Sequence, residues 1–104
     1  MPESFDDVSV QAAANIYFDG KVVSHSVFFG NGSKKTLGII FPGKYKFDTD
    51  APELMEIISG TAKVTLNGTD WKDYSAGSSF RVSGKSSFTI SCENGITQYI
   101  CSFG

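Results

Sequence analysis

One carboxylate, two basic residues and a group of aromatic side chains are the parts of this chain whose types and spacing could do chemistry. Glu53 follows Pro52 and opens an apolar run. It could orient a hydroxyl or stabilise a developing positive charge, or bond to backbone as a strand-end carboxylate. Arg81 lies between Phe80 and Val82; its planar fork of donors suits phosphate, and a solvent-facing Arg on an outer strand face is the competing reading. Lys46 could turn inward and meet the same anion, or stay solvated. Tyr45 and Phe47, with Tyr99, could stack on a flat ring or simply fill a core. Lys63 and Lys72 would face each other if Asn67-Gly68 were a two-residue turn, so either an anion bridges them or the loop is longer; the longer loop is favoured. His25 stands alone and reads as a surface or hydrogen-bonded residue.

Two cysteines, Cys92 and Cys101, flank Asn94-Gly95, a strong hairpin signal. A two-residue turn there sets Cys92 opposite Thr97 and Cys101 opposite Phe88. The sulfurs are then about four residues apart along the ladder, roughly 13 Å, whereas a disulfide needs Cα atoms within about 7 Å. Reduced, buried thiols are expected.

The elements that must position these residues are short strands. The 104 residues suffice for one domain with one modest core. Nine Phe, with frequent Val, Ile, Tyr and Thr, favour strands, and eleven Gly supply tight turns. A net charge of −2 gives no global field for nucleic acid or an anionic membrane, so a bound anion needs a local cation. No apolar run approaches the roughly 20 residues that span a bilayer. The stretch Met1–Asp7 is acidic and lacks a basic region followed by an apolar one, so no secretory signal is read, and a cytoplasmic location is expected.

Residues 1–13 show no sustained periodicity and read as a flexible or loosely docked N-terminal segment; residues 14–104 read as the folded domain. Strands are expected at Ile16–Phe18, Val22–Phe29, Thr36–Phe41, Tyr45–Thr49, Glu53–Ser59, Ala62–Leu66, Trp71–Tyr74, Ser79–Val82, Ser87–Cys92 and Ile96–Phe103, with the last two paired. No stretch holds a helical period over three turns. Regular short strands argue for a sandwich or barrel. Phe88, Ile90, Cys92, Tyr99 and Cys101 are assigned to the core face, and Ala62, Val64, Leu66 and Trp71 to the inner face of the middle hairpin.

Two glycine-bounded blocks resemble the motifs of the cupin superfamily. Gly43 opens the first, and Glu53 is followed by six residues and Gly60. The metal-binding His positions fall on Lys46 and Asp48, or on Phe47 and Thr49. In the second, Gly77 is followed by Ser83 and Gly84, and Phe88 takes the His position. The resemblance implies an all-β, cupin-type β-barrel (an RmlC-like jelly roll) that has lost its metal ligands, since one carboxylate does not hold a transition metal tightly. The blocks that line a cupin lumen are here Tyr45–Thr49, Glu53 and the strand bearing Arg81.

A closer likeness runs from Asn15 to Phe103. The blocks Asn15-Ile-Tyr-Phe-Asp-Gly-Lys21, Tyr45-Lys-Phe-Asp-Thr49, Pro52-Glu53, Ile57-Ile-Ser-Gly60, Thr69-Asp-Trp71, Ala76-Gly77 and Tyr99-Ile-Cys101 are similar to the bacterial pyrimidine/purine nucleoside phosphorylase family. That resemblance implies phosphorolysis of purine and pyrimidine nucleosides to free base and ribose 1-phosphate, with no metal or organic cofactor. On it, Glu53 is the catalytic candidate, set against a ribose hydroxyl or an oxocarbenium-like sugar, and Arg81, Lys46, Thr49, Tyr45 and Phe47 are the substrate-binding candidates. Ser83, Lys85 and Ser102 depart from the family pattern. The expected partners are nucleosides, phosphate and a second copy of the chain, through the segment near Ile16; nucleic acid and membrane are not expected. The alternative is a non-catalytic, metal-free cupin that binds a small metabolite.

Overall fold

Alternation of apolar and polar residues, not helical periodicity, organises this chain. A computed structural model describes residues 4–104, and the first three residues of the expected N-terminal segment lie outside it. Among the described residues there are eleven strands: β1 Ser9–Val10, β2 Asn15–Tyr17, β3 Val22–Phe28, β4 Lys34–Ile40, β5 Gly43–Asp48, β6 Glu53–Ser59, β7 Thr61–Thr65, β8 Trp71–Ser75, β9 Ser79–Val82, β10 Ser87–Cys92 and β11 Thr97–Phe103. The larger sheet has the order β1-β3-β4-β11-β6-β9, with β2 also on β3; the smaller has the order β5-β10-β7-β8. Both are antiparallel. The result is the all-β, single-domain cupin-type fold expected from the sequence.

The core is the layer between the two sheets. It is filled from alternate positions: Val22 and Ile40 on the larger sheet's β3 and β4, Met55 and Ile57 on β6, Val64 and Ile90 on the smaller sheet, and the rings of Tyr45, Phe80 and Phe88. Successive strand residues point to opposite faces, so each of these side chains sends its neighbours outward. The expected core set of Phe88, Ile90, Cys92, Tyr99 and Cys101 is buried throughout, and both cysteines are free thiols.

One expected pairing is replaced, and the middle hairpin takes the longer loop favoured from the sequence. β10 and β11 do not form a hairpin. β10 pairs with β5 and β7 in the smaller sheet, while β11 pairs with β4 and β6 in the larger. Gly95 has a positive φ (98°), but Asn94 does not, so the type I′ geometry is not met. The link crosses between sheets instead, and a local turn signal carries no information about which sheet the next strand joins. In the middle hairpin, Thr65 pairs with Trp71 and Lys63 with Asp73, so the loop spans residues 66–70. The Asn67 side-chain oxygen shapes it, accepting from the N–H groups of Thr69 and Asp70, each at 2.9 Å. This longer loop sets Lys63 beside a carboxylate rather than Lys72. It also shifts the register by one: Trp71, opposite Thr65, is exposed rather than on the expected inner face, and Leu66 is exposed because it falls in the loop.

The N-terminal segment is laid along one edge of the larger sheet in two pieces. Ser9–Val10 pairs with Val27–Phe28, and Asn15–Tyr17 pairs with Val22–Ser24.

One close approach holds the larger sheet's inner face together. Gly38 lies directly across from Tyr99, and a Cβ at position 38 would fall inside the Tyr99 ring. Gly38→Ala therefore has to displace a buried ring. Overpacking of this kind costs about 1–3 kcal/mol, and for a domain of this size each kcal/mol corresponds to roughly 4–8 °C. Thermal unfolding of Gly38→Ala is expected to show a fall of that order, whereas Gly68→Ala, which meets no neighbour, reports only the conformational cost of a positive φ.

Candidate active site

The sheets part at one end to leave a lumen of about 150 Å³. Its wall is built by strand parity. On the larger sheet the inward positions are Ser24 on β3, Thr36 on β4, Tyr99 and Cys101 on β11, and Glu53 and Met55 on β6; the smaller sheet adds Phe47 and Phe88, with Tyr17 and Phe103 at the opening.

Glu53 is the only one of the proposed polar site residues whose side chain enters this lumen. It is placed there because Glu53 heads β6, two positions before the buried Met55. The Cys101 thiol donates to the Glu53 carboxylate at 3.4 Å, and Thr36 lies within bonding reach of that thiol. Burial raises the Glu53 carboxyl above its ordinary value, and the thiol's hydrogen bond opposes the rise in part. Burial, reinforced by the neighbouring carboxylate, pushes the Cys101 thiol far up, so it stays a protonated donor. The Tyr99 hydroxyl is likewise raised by burial, with Ser24 beside it acting in the opposite direction. Asn15 donates to Ser24 and Ser26 at 3.3 and 3.0 Å, fixing that hydroxyl pair. The wall beside Glu53 is thus a row of neutral hydroxyl and thiol groups, and the exposed Asp48 is the second carboxyl lining the lumen.

The other candidates divide by role. Phe47 lines the lumen and stacks on Phe88, with centroids 5.4 Å apart and planes at 21°. Tyr45 is buried in the core, and its hydroxyl donates to the carbonyls of Phe41 and Pro42 at 2.9 and 3.1 Å. Thr49 is buried too. Its hydroxyl donates to the Ser83 carbonyl at 2.7 Å and accepts from the Ser86 N–H at 2.9 Å, tying the end of β5 to the loop before β10. Both residues have their polar atoms engaged by backbone and brace the wall. Arg81 and Lys46 are exposed on the outer faces. Arg81 pairs with Leu54, and its neighbours Phe80 and Val82 are buried. Lys46 pairs with Thr89, between the inward Tyr45 and Phe47. The apolar neighbours that made Arg81 stand out in the sequence are the reason it points away from the lumen.

Sequence reasoning passed over Tyr17 and Phe18. After Tyr17 the chain turns with Phe18, Asp19 and Gly20 all at positive φ (51°, 56° and 87°), where a bulky residue is an outlier. What holds Phe18 there is aromatic packing: its ring is 5.0 Å from Tyr45 and 5.3 Å from Phe47. Tyr17 meets Phe47 edge-on at 6.3 Å. The Asp19-Gly20 turn was legible; its service as an aromatic rim at the lumen opening was not, because it depends on β2 lying beside β5's end of the molecule. Among the described residues, no group of three or more His, Cys, Asp and Glu side chains could hold a metal ion, and no helix is long and apolar enough to cross a membrane.

The family model for pyrimidine/purine nucleoside phosphorylase matches residues 12–103. A pyrimidine/purine nucleoside phosphorylase of Methylobacillus flagellatus is 55% identical over 100 residues, covering 95% of this chain and 96% of its own length. One from Cupriavidus metallidurans is 54% identical over 101 residues, covering 96% and 97%. Among solved structures, a protein of unknown function from Acinetobacter superposes with a TM-score of 0.93 at 41% identity, covering 97% of this chain and 98% of its own. The EutQ protein of Clostridium difficile, at 14% identity and a TM-score of 0.67 over 79% of this chain, shares the fold. On the near-complete family match and the identity above one half, this chain belongs to the pyrimidine/purine nucleoside phosphorylase family.

Proposed function

We propose that the chain is a nucleoside phosphorylase of broad specificity, which splits purine and pyrimidine nucleosides with inorganic phosphate inside the lumen at Glu53. The observation that carries the reading is the half-buried Glu53 carboxyl, set among hydroxyls in the lumen between the sheets of a chain that matches the family over residues 12–103.

In this reaction a phosphate oxygen attacks C1′ of the ribose as the bond from C1′ to the base nitrogen breaks. The base leaves with that electron pair and takes up a proton from solvent. The sugar carries positive charge in the transition state. The Glu53 carboxylate is positioned to accept from ribose hydroxyls and to offset that charge, and in a partly dry site a preorganised charge acts more strongly than in water. The Ser24, Thr36 and Tyr99 groups give the ribose polar neighbours, and Phe47 with Tyr17 gives the base a ring to lie against. A lumen of about 150 Å³ is below the ~300 Å³ of pockets that enclose a drug-sized ligand. It suits a sugar and leaves the base at the opening, which fits tolerance of both base sizes.

We place the enzyme in the cytoplasm, supported by its two buried free thiols, since oxidising compartments favour disulfides. We further read it as a homodimer. The support is a two-piece sheet edge with Ile16 exposed; such edges invite pairing unless covered. Light scattering at micromolar concentration is expected to give twice the chain mass, and a monomer contradicts the dimer.

Two measurements test the function. Uracil from uridine and adenine from adenosine are expected to appear only when phosphate is present; no release of base from several nucleosides at high enzyme concentration overturns the reading. Glu53→Gln keeps the shape and removes the charge, and kcat is expected to fall at least tenfold while the fold persists. Stability supplies an independent sign. A carboxyl whose folded value is raised above its ordinary 4.5 stabilises the fold below that pH and loses this contribution as pH rises through the folded value. At pH 7 Glu53 therefore costs stability. Glu53→Gln is expected to unfold at or above the wild-type temperature at pH 7, with the advantage shrinking as pH falls through the raised folded value and gone below 4.5. A less stable Glu53→Gln at pH 7 contradicts this account of the carboxyl.

A further inference from the structure

The lumen wall carries Asp48 and Glu53 and no Lys or Arg, yet the proposed co-substrate is a phosphate with about two negative charges. A dianion brought beside two carboxylates needs a cation within a few ångströms. Lys46 and Arg81 do not line the lumen; Arg81 borders, with Lys35 and Glu53, a second hollow at the head of β6.

Strand parity supplies a cation. Thr36, Gly38 and Ile40 of β4 are buried inward positions, and two residues before them, on the same face, stands Lys34 at the head of the strand. On the larger sheet it is the only Lys or Arg at an inward register position among the described residues. The ladders fix its place. Lys34 pairs with Phe28, its neighbour Lys35 pairs with Ser102, and Phe103 pairs with Glu53. Lys34, Phe103 and Glu53 therefore form one row across three adjacent strands, with roughly 10 Å between the outer two backbones at ~4.8 Å per strand. The Lys34 ammonium lies over the Phe103 ring, 4.7 Å from its centroid, and Phe103 lines the lumen opening. The Lys34 charge also lowers the proton affinity of the Cys101 thiol in the lumen wall, so its field reaches the cavity.

We propose that Lys34 is the cation that receives phosphate at the open end of the lumen, one strand from the Glu53 that faces the sugar. The inference rests on the phosphorylase reading and adds to it the residue that binds the second substrate. Phosphate seated at the ammonium stands beside Phe103, between Lys34 and Glu53, on the side from which its oxygen can approach C1′ of a ribose held at Glu53. The ring under the ammonium keeps the lysine in place before phosphate arrives. The row one residue further along, Lys35, Ser102, Leu54 and Arg81, lies on the opposite face and lines a separate hollow that Glu53 and Phe103 also border; phosphate seated there leaves its KM unchanged in Lys34→Ala.

The test is steady-state phosphorolysis of uridine by the full chain, with phosphate and uridine varied separately. A charge-assisted contact of this kind corresponds to roughly tenfold to a hundredfold in affinity. Lys34→Ala is expected to raise KM for phosphate by that factor while KM for uridine changes less than about threefold. Lys34→Arg is expected to restore most of the phosphate affinity, and Lys63→Ala, an outer-face control, to leave both constants unchanged. Inorganic phosphate alone is expected to raise the unfolding temperature of the wild type and not that of Lys34→Ala. An active wild type with a Lys34→Ala variant whose KM for phosphate stays within twofold overturns the inference and leaves the function standing. Equal losses toward both substrates, unrepaired by Lys34→Arg, overturn it as well. A wild type that releases no base from any nucleoside overturns the function and the inference together.

Discussion

A half-buried carboxyl set among apolar and neutral side chains is the constraint on which the site depends. Two antiparallel sheets meet face to face, and every second residue must enter the layer between them. Where the layer closes, it is filled by Ile40, Ile57, Val64 and Ile90. Where it opens, the same parity delivers Glu53. Withdrawing a carboxylate from water is costly unless it is bonded. The Cys101 thiol supplies one bond at 3.4 Å, and a substrate hydroxyl can supply others. The site is thus less satisfied before the sugar arrives than after it, which favours binding at that point. The thiol suits this role because its own burial keeps it protonated, so it donates without adding a second negative charge.

The surrounding fold serves that arrangement. Tyr99 lies flat over Gly38 because no Cβ stands in its way, and this brings its hydroxyl to Ser24 at the lumen wall. Thr49 ties the β5 end to the loop after β9 through two backbone bonds, fixing the strand that carries Phe47. The aromatic rim of Tyr17, Phe18 and Phe47 is held by ring against ring at 5–6.3 Å, strongly enough to keep Phe18 at a positive φ. Such strain persists only where the surroundings over-determine it.

Much of this was legible in the sequence, and the exceptions have physical causes. Alternation marked the strands and the buried face of Phe88, Ile90, Cys92, Tyr99 and Cys101, because period two is a local property of the chain. The partner of a strand is not local. Asn94-Gly95 looks like a hairpin turn, yet the strands on either side belong to different sheets, a choice made by the whole core. The loop after Leu66 was legible in outline from charge repulsion between Lys63 and Lys72, but the face of Trp71 depended on its register. Glu53 was found through its spacing to Gly60. Arg81 was singled out for its apolar neighbours, although in a strand those neighbours send it outward. Lys34 escaped notice because the apolar run begins after it; counting back from Thr36 by two would have placed it on the inward face.

Whether sugar and phosphate meet between the sheets is decided by a crystal structure of the protein with ribose 1-phosphate. The ribose hydroxyls are expected against the Glu53 carboxyl, beside Tyr99 and Cys101, with the phosphate group turned toward Lys34 and Phe103. Ribose 1-phosphate on the outer face of the larger sheet, beside Arg81 and Lys35, with the lumen free of it, would contradict that placement.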